Sequence, residues 1–278
     1  TGIPLIVEDI TDRYLPMLRS PNVGYGAYMN PCMDCHALMF RIAGEMMPEI
    51  SADFLFSGEV LGQRPMSQVK NALRYVEKHS GFDGRILRPL SAQKLPVTWM
   101  EEKGLVDRER LLGLSGRSRK PQIALAAQLG ITAYPAPAGG CLLTDAGFSK
   151  RLRDLFDHQA HFTNRELTLL SYGRHLRLDS CTKLIIGRNK SENLRIQTLA
   201  SEADDTWIRM HRIAGPFGLI PNGGARDRIE EAAAMCAGYS KARGDQPVMV
   251  EVTGPGAKMS IIHVLPVAPK VSAGLLIS

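Results

Sequence analysis

Apolar and polar positions along the chain change period several times, and each change predicts an element. Gly2–Ile10 (GIPLIVEDI) is rich in β-branched and aliphatic residues and predicts a buried strand. Asp12–Leu18 predicts a short helix. In His36–Met47 the apolar positions Leu38, Met39, Ile42, Ala43, Met46 and Met47 follow helical spacing, and Pro48 ends the run. Asp53–Phe56 (DFLF) predicts a second short strand, running into the polar loop SGEVLG, and Arg85–Leu90 a third. Strand, helix, strand in this order points to a parallel α/β sheet, whose ligands sit outside the strand ends. Lys120–Leu129 predicts a helix, with Pro121 in its first turn and Gly130 at its end. The loop Pro135–Gly140 (PAPAGG) then delivers Cys141, and Phe148–Phe156 predicts a basic amphipathic helix.

Composition shifts at Asp157–Asn164, which places a domain boundary between residues 157 and 158. Beyond it, Lys183–Gly187, Thr206–Met210, Val248–Val252 and Ile261–Val267 predict strands, and Arg226–Tyr239 an Ala-rich helix. This is the pattern of an α+β module with a mostly antiparallel sheet. The fold class is therefore α/β for residues 1–157, followed by α+β for residues 158–278.

The 278 residues allow two compact domains. With 44% hydrophobic and 22% charged residues, no membrane-length apolar run and no signal peptide at the start, the expectation is a soluble cytoplasmic protein with no membrane partner. The chain begins with Thr1 rather than Met and runs at once into a strand, so upstream residues are expected. A net charge of +6 suits a polyanionic partner, because each neutralised phosphate releases condensed counterions. Five cysteines, an odd number, suggest metal or redox chemistry over structural disulfides.

Cys32 and Cys35 form a C-x-x-C in NPCMDC, and Cys141 follows a double glycine. A helix N-terminus favours thiolate there, which both sulfur transfer and iron ligation require. Two chemistries fit: a nucleophile and persulfide pair at Cys35 and Cys141 with Cys32 accessory, or an iron–sulfur cluster on all three. Zinc on the same thiols, with His36, is a third. Cys181 and Cys236 stand alone in apolar surroundings and read as core. Asp34 reads as a cap for the following helix, and Glu59 as a ribose ligand, a base or a strand-end cap. Arg64, Arg88, Ser91, Arg117, Ser118, Arg119 and Lys120 lie in Gly/Ser/Arg loops suited to a phosphate backbone or a nucleotide.

The stretches NPCMDCHALMFRIA, ADFLFSGE and GRSRKPQIALAAQLGI, with Cys141 beyond them, resemble the tRNA-specific 2-thiouridylases of the PP-loop ATP pyrophosphatase superfamily. The resemblance covers roughly Gly2–Phe148. It implies Cys35 and Cys141 as the catalytic pair and Ser57–Gly58 as part of the nucleotide site, although His36 and Glu59 depart from that family's Asn and His. The extra Cys32 is similar to the cluster-bearing tRNA thiolases, which implies Cys32, Cys35 and Cys141 as ligands of a 4Fe–4S cluster. ATP with magnesium is the implied cofactor. The Ser-Gly-Gly-x-Asp-Ser loop that binds its pyrophosphate is not found in the sequence, so it lies upstream of Thr1 or is absent.

The segment KLIIGRNKSENLRIQTLASEADDTWIRMHRIAGP resembles the RNA-binding domain of the NFACT proteins, through Gly187, Arg188, Asn189, Glu192, Asn193, Asp205, Trp207, Gly215 and Pro216. The match extends over about Lys183–Pro266 and implies contact with structured RNA. Arg188, Asn189, Lys190, Arg209 and Arg212 are the candidate RNA contacts, because guanidinium groups bind phosphate in a bidentate way and stack on bases; Trp207 reads as core. Together the two resemblances imply ATP-dependent sulfur transfer to a tRNA uridine, fed by a cysteine desulfurase or sulfur carrier. The alternatives are a non-catalytic RNA-binding protein with a degenerate PP-loop domain, and a small-molecule sulfurtransferase of the same fold.

Overall fold

The structure is a computed structural model that describes residues 3–134, 140–242 and 245–277. The chain divides into two compact units, Thr1–Cys141 and Leu142–Ser278. No helix of the described residues is long and apolar enough to cross a membrane.

The first unit is built from α1 (Thr11–Arg19), α2 (Cys32–Met46), β1 (Leu55–Phe56), α3 (Lys70–Ser80), β2 (Ile86–Leu87), α4 (Trp99–Glu102) and α5 (Lys120–Gln128). The two strands pair in parallel, Leu55 with Ile86 and Phe56 with Leu87. This is a small parallel sheet, and the PP-loop fold is not established by it. Ile3–Ile10, predicted as a strand, pairs with no strand among the described residues, and Ile3, Leu5, Ile6 and Val7 stay exposed. Helix α2 starts at Cys32, one turn before the predicted start. Helix α3 was not read from the sequence; its Ala72, Leu73 and Val76 are buried, and Gly81 ends it at φ +84°. That left-handed conformation suits glycine at a helix end. The turn that follows α3 closes onto α2 because Gly44 has no side chain: a Cβ there would lie 2.1 Å from the Phe82 ring.

A buried ion network ties this unit together beyond the strand ends. Arg88, 2% exposed, donates from Nε to Glu59 Oε2 at 2.9 Å and pairs through Nη1 with Glu77. Glu59 also meets His36 Nδ1 at 2.9 Å. Burial alone would raise the Glu59 carboxyl, but His36 and Arg88 outweigh it and hold the group below its ordinary value.

The second unit opens with α6 (Ala146–His158) and α7 (Asn164–Leu169). The composition change at 157–164 falls inside this unit. Helix α6 belongs here because Asp154 accepts from Arg177 Nε at 2.9 Å and from Lys183 Nζ at 3.0 Å, both on the sheet. The sheet strands are β3 (Arg174–Arg177), β4 (Lys183–Ile186), β5 (Thr206–Met210), β6 (Gly218–Ile220), β7 (Val248–Gly254) and β8 (Lys258–Val264). Their order is β3-β4-β6-β5-β7-β8, antiparallel throughout. This agrees with the α+β pattern of the sequence.

Helix α8 (Lys190–Leu199) lies on one face of the sheet and α9 (Arg226–Gly238) on the other. Ala232, Ala233, Cys236 and Ala237 of α9 are fully buried against Leu184, Ile186, Ile208, Ile220 and Val250. Each large aliphatic side chain buried in this way contributes about 1.5–3 kcal/mol. Gly218 makes room for the helix: a Cβ there would sit 2.4 Å from Cys236 Sγ. Opposite, Ile196 of α8 and Leu169 of α7 cover Ile185, Phe217 and Leu219.

Candidate RNA interface and cysteine site

In the second unit the residues that carry the NFACT resemblance divide into scaffold and surface. Asn189 caps α8, its side chain accepting from Glu192 N–H at 3.0 Å. Glu192 accepts from Gly173 N–H at 3.2 Å and Arg188 N–H at 3.0 Å. Asn193 Oδ1 accepts from Phe217 N–H at 3.2 Å, and Gly187 is needed beside it, since a Cβ there would lie 2.0 Å from that oxygen. Asp205 is fully buried and accepts from Ser201 N–H at 2.8 Å, Asn222 N–H at 2.9 Å and Arg165 Nη1 at 2.5 Å. Each of these groups satisfies backbone donors that would otherwise be costly to leave unpaired.

The cations face outward. Arg188, Lys190, Arg209 and Arg212 are all exposed. Arg188 is braced by Glu192, with Nη2 2.5 Å from Oε1, and Lys190 opens the first turn of α8. Arg209 lies over the Phe217 ring, 5.3 Å from its centroid. Arg212 sits in the left-handed region at φ +58°, in the turn that follows β5. Of the five residues expected to meet RNA, four thus present charge to solvent, whereas Asn189 is committed to the helix. Trp207 is half-buried, packed at the margin of the Leu169–Ile185–Ile196–Phe217–Leu219 cluster rather than enclosed in it.

Cys236 is core, its thiol pushed up to about 12 by burial. Cys181 is not core; it is exposed in a turn where its N–H donates to Asp179 Oδ1 at 2.8 Å.

In the first unit, the opening turn of α2 carries Cys32 and Cys35, both half-buried, and Cys141 lies within electrostatic reach of both. The Tyr14 hydroxyl on α1 hydrogen-bonds Cys35, and Cys32 Sγ donates to Asn30 Oδ1 at 2.8 Å. Sequence reasoning did not single out Tyr14 or Asn30; a tyrosine on one helix facing a thiol on another has no signature in spacing. Burial raises both thiols of the C-x-x-C. For Cys35 the Tyr14 hydrogen bond opposes that rise, and for Cys32 the Asn30 hydrogen bond and the Arg64 charge do so. The expected thiolate bias from the helix N-terminus is therefore overridden by desolvation. Tyr14 is itself raised by burial and by the neighbouring thiols.

All five cysteines are thiols. Among the described residues no group of three His, Cys, Asp or Glu side chains is spaced to hold a metal ion. The thiol set has the donor chemistry of an iron–sulfur or zinc site, but its spacing here does not fit an assembled one. His36 turns away from the thiols to Glu59, and the loop Pro135–Gly139 ahead of Cys141 lies outside the described residues.

The loop after β1 holds the predicted nucleotide residues. Ser57 N–H donates to Leu87 O at 2.9 Å, and its hydroxyl meets Glu59 Oε2 at 3.2 Å, while Gly58 faces open space. Glu59 is thereby a structural hub rather than an exposed ligand. Arg88 and Ser91 are buried, Ser91 Oγ bridging Leu61 N–H and Leu114 O. Asp34 does not cap α2: it accepts from Val23 N–H at 3.0 Å and Tyr75 hydroxyl at 2.7 Å, pinning the preceding loop. Arg119 lines a cavity of about 350 Å3 with Gln63, Gln122, Ile123 and Tyr134.

Residues 173–272 match the family model of the NFACT protein RNA binding domain. No curated protein matches the chain. Among solved structures, the C-terminal part of the fibronectin/fibrinogen-binding protein from Streptococcus suis aligns at 15% identity, over 97% of this chain and 100% of that one, with a TM-score of 0.33. A likeness at that level settles neither fold nor function.

Proposed function

We propose that the chain is an RNA-binding protein whose second unit makes the contact, with tRNA as the RNA class. The match of residues 173–272 to the NFACT RNA-binding domain carries this reading. The outward cations Arg188, Lys190, Arg209 and Arg212 support it, because phosphate contacts supply most of the affinity of such interfaces. The test is tRNA binding by the full chain, followed by fluorescence anisotropy, against a variant carrying Arg188→Gln, Lys190→Gln, Arg209→Gln and Arg212→Asn. Asn is chosen at 212 because it tolerates the left-handed backbone. Affinity is expected to fall by at least about tenfold at low salt. Undiminished binding by the variant rejects this surface.

A second reading is favoured by the three interacting thiols of the first unit: sulfur transfer to a tRNA uridine. Cys35 would take up sulfane sulfur from the persulfide of a cysteine desulfurase or sulfur carrier, whose own thiol is released, with the Tyr14 hydroxyl stabilising the persulfide anion. The terminal sulfur would displace the activated uridine oxygen as AMP. Cys141 would then attack Cys35 Sγ, releasing the thiolated uridine and leaving a Cys35–Cys141 disulfide for a cellular dithiol reductant to reopen. ATP with magnesium would activate the uridine oxygen as a leaving group. Cys35→Ser should abolish tRNA thiolation in cells while tRNA binding in vitro persists. Thiolation retained in that variant removes Cys35 from the reaction.

A further inference from the structure

The two faces of the second unit's sheet are not equally covered. Register places Val250, Val252, Ile262 and Val264 on the face covered by α9, and all four are buried or half-buried. On the opposite face, α7 and α8 cover β4 and β6 and reach the edge of Trp207 on β5. Strands β5, β7 and β8 there present Trp207 and Arg209, then Met249, Glu251 and Thr253, then Met259, Ile261 and His263. Met249, Met259 and Ile261 are 38%, 66% and 45% exposed. Three large apolar side chains side by side in solvent are not explained by folding, since each would be more favourable covered.

We propose that this open half-face, β5-β7-β8, is a platform on which unpaired bases of the RNA stack. The proposal rests on the RNA-binding reading and adds which feature of the RNA is recognised. Charge decides between an RNA and an apolar protein partner. Arg209, one of the exposed cations of the phosphate-contact set, stands on this face over Phe217, and its cross-strand neighbour Glu251 hydrogen-bonds His211 Nδ1 at 2.8 Å. The face thus carries an exposed arginine, a carboxylate engaged by one imidazole, a second imidazole and a hydroxyl, and Arg209 makes it continuous with the cationic surface, which suits phosphates flanking apolar contacts. Three strands span about 10 Å, and residues 249–253 run about 13 Å along β7. A sheet face of that size holds two or three bases. Thioether, aliphatic and indole groups can pack on the π-face of a base only when it is unstacked, which a continuous duplex does not offer.

The experiment compares two fluorescent probes on the full chain: an RNA stem with an unpaired eight-nucleotide overhang, and the same stem blunt-ended. Wild-type protein is expected to prefer the overhang by about tenfold. The double variant Met259→Gln, Ile261→Thr, which keeps β-compatible residues on an already exposed strand, should lose that preference and bind the blunt stem as wild type does. A circular dichroism melt matching wild type establishes that the variant folds, and Met249→Gln serves as a second probe of the same face on β7. An absent preference in wild type, or one that survives both variants, overturns the platform while leaving RNA binding through the cations standing. Failure of wild type to bind either probe brings down the RNA-binding reading itself. Altered self-association of the double variant in sedimentation, with its RNA preference intact, assigns the face to a second copy of the chain and also overturns the proposal.

Discussion

His175 shows how a single side chain sets a pH limit on this fold. It is fully buried on β3, and its Nε2–H donates to Tyr172 O at 2.8 Å. The ring also borders a cavity of about 20 Å3, room for one water. Burial, followed by the nearby charges of Lys183 and Arg151, holds the imidazole well below its ordinary value of 6.5, so the folded state keeps it neutral. The unfolded chain, by contrast, takes up the proton near 6.5. Stability from this residue is therefore complete above that pH and declines as pH falls below it. Thermal melts of wild type are expected to show this loss between about pH 6.5 and 5. His175→Gln, which can keep the donor and cannot titrate, should flatten the slope in that window. The carboxylates with lowered values, such as Asp154 and Glu166, act only at lower pH. An unchanged slope in the glutamine variant would contradict the assignment. Nothing in the sequence marks His175 as buried; its neighbours are two arginines and a leucine.

Elements with strong local signals were legible, and those fixed by tertiary partners were not. Thr206–Met210 and the Ala-rich helix α9 follow their sequence patterns almost to the residue, because their periodicity and their burial coincide. Helix α5 was readable from Pro121 and Gly130, the latter at φ +70°. Helix α8 escaped because its sequence, KSENLRIQTL, has one fully buried position, Ile196, and is fixed by Asn189, Glu192 and Asn193 bonding to backbone. Ile3–Ile10 shows the reverse case. It has the composition of a strand, but a strand exists only where a neighbour accepts its hydrogen bonds, and composition does not report neighbours. Within the cysteine site, the C-x-x-C and its helix were visible, but desolvation of the thiols and the reach of Tyr14 across helices depend on packing that no spacing encodes. The NFACT-like motif was readable for a related reason: Asn189, Glu192, Asn193 and Asp205 each accept hydrogen bonds from backbone N–H groups, so the pattern records the scaffold more than the exposed cations.

For the whole molecule, two units with different chemistry share one chain. The first holds three interacting thiols beyond a small parallel sheet; the second holds a six-stranded antiparallel sheet within residues that match an RNA-binding domain. The net charge of +6 is consistent with a polyanion as partner, but the location of the cations, not their sum, is what an interface uses. The central claim is that Arg188, Lys190, Arg209 and Arg212 bind RNA phosphates, and the dependence of tRNA affinity on salt tests it most directly. Four phosphate contacts predict a log–log slope of about −3 to −4 for wild type, dropping to about −1 or less when all four cations are replaced. A slope near zero in wild type, or one that the four substitutions leave unchanged, would contradict the account.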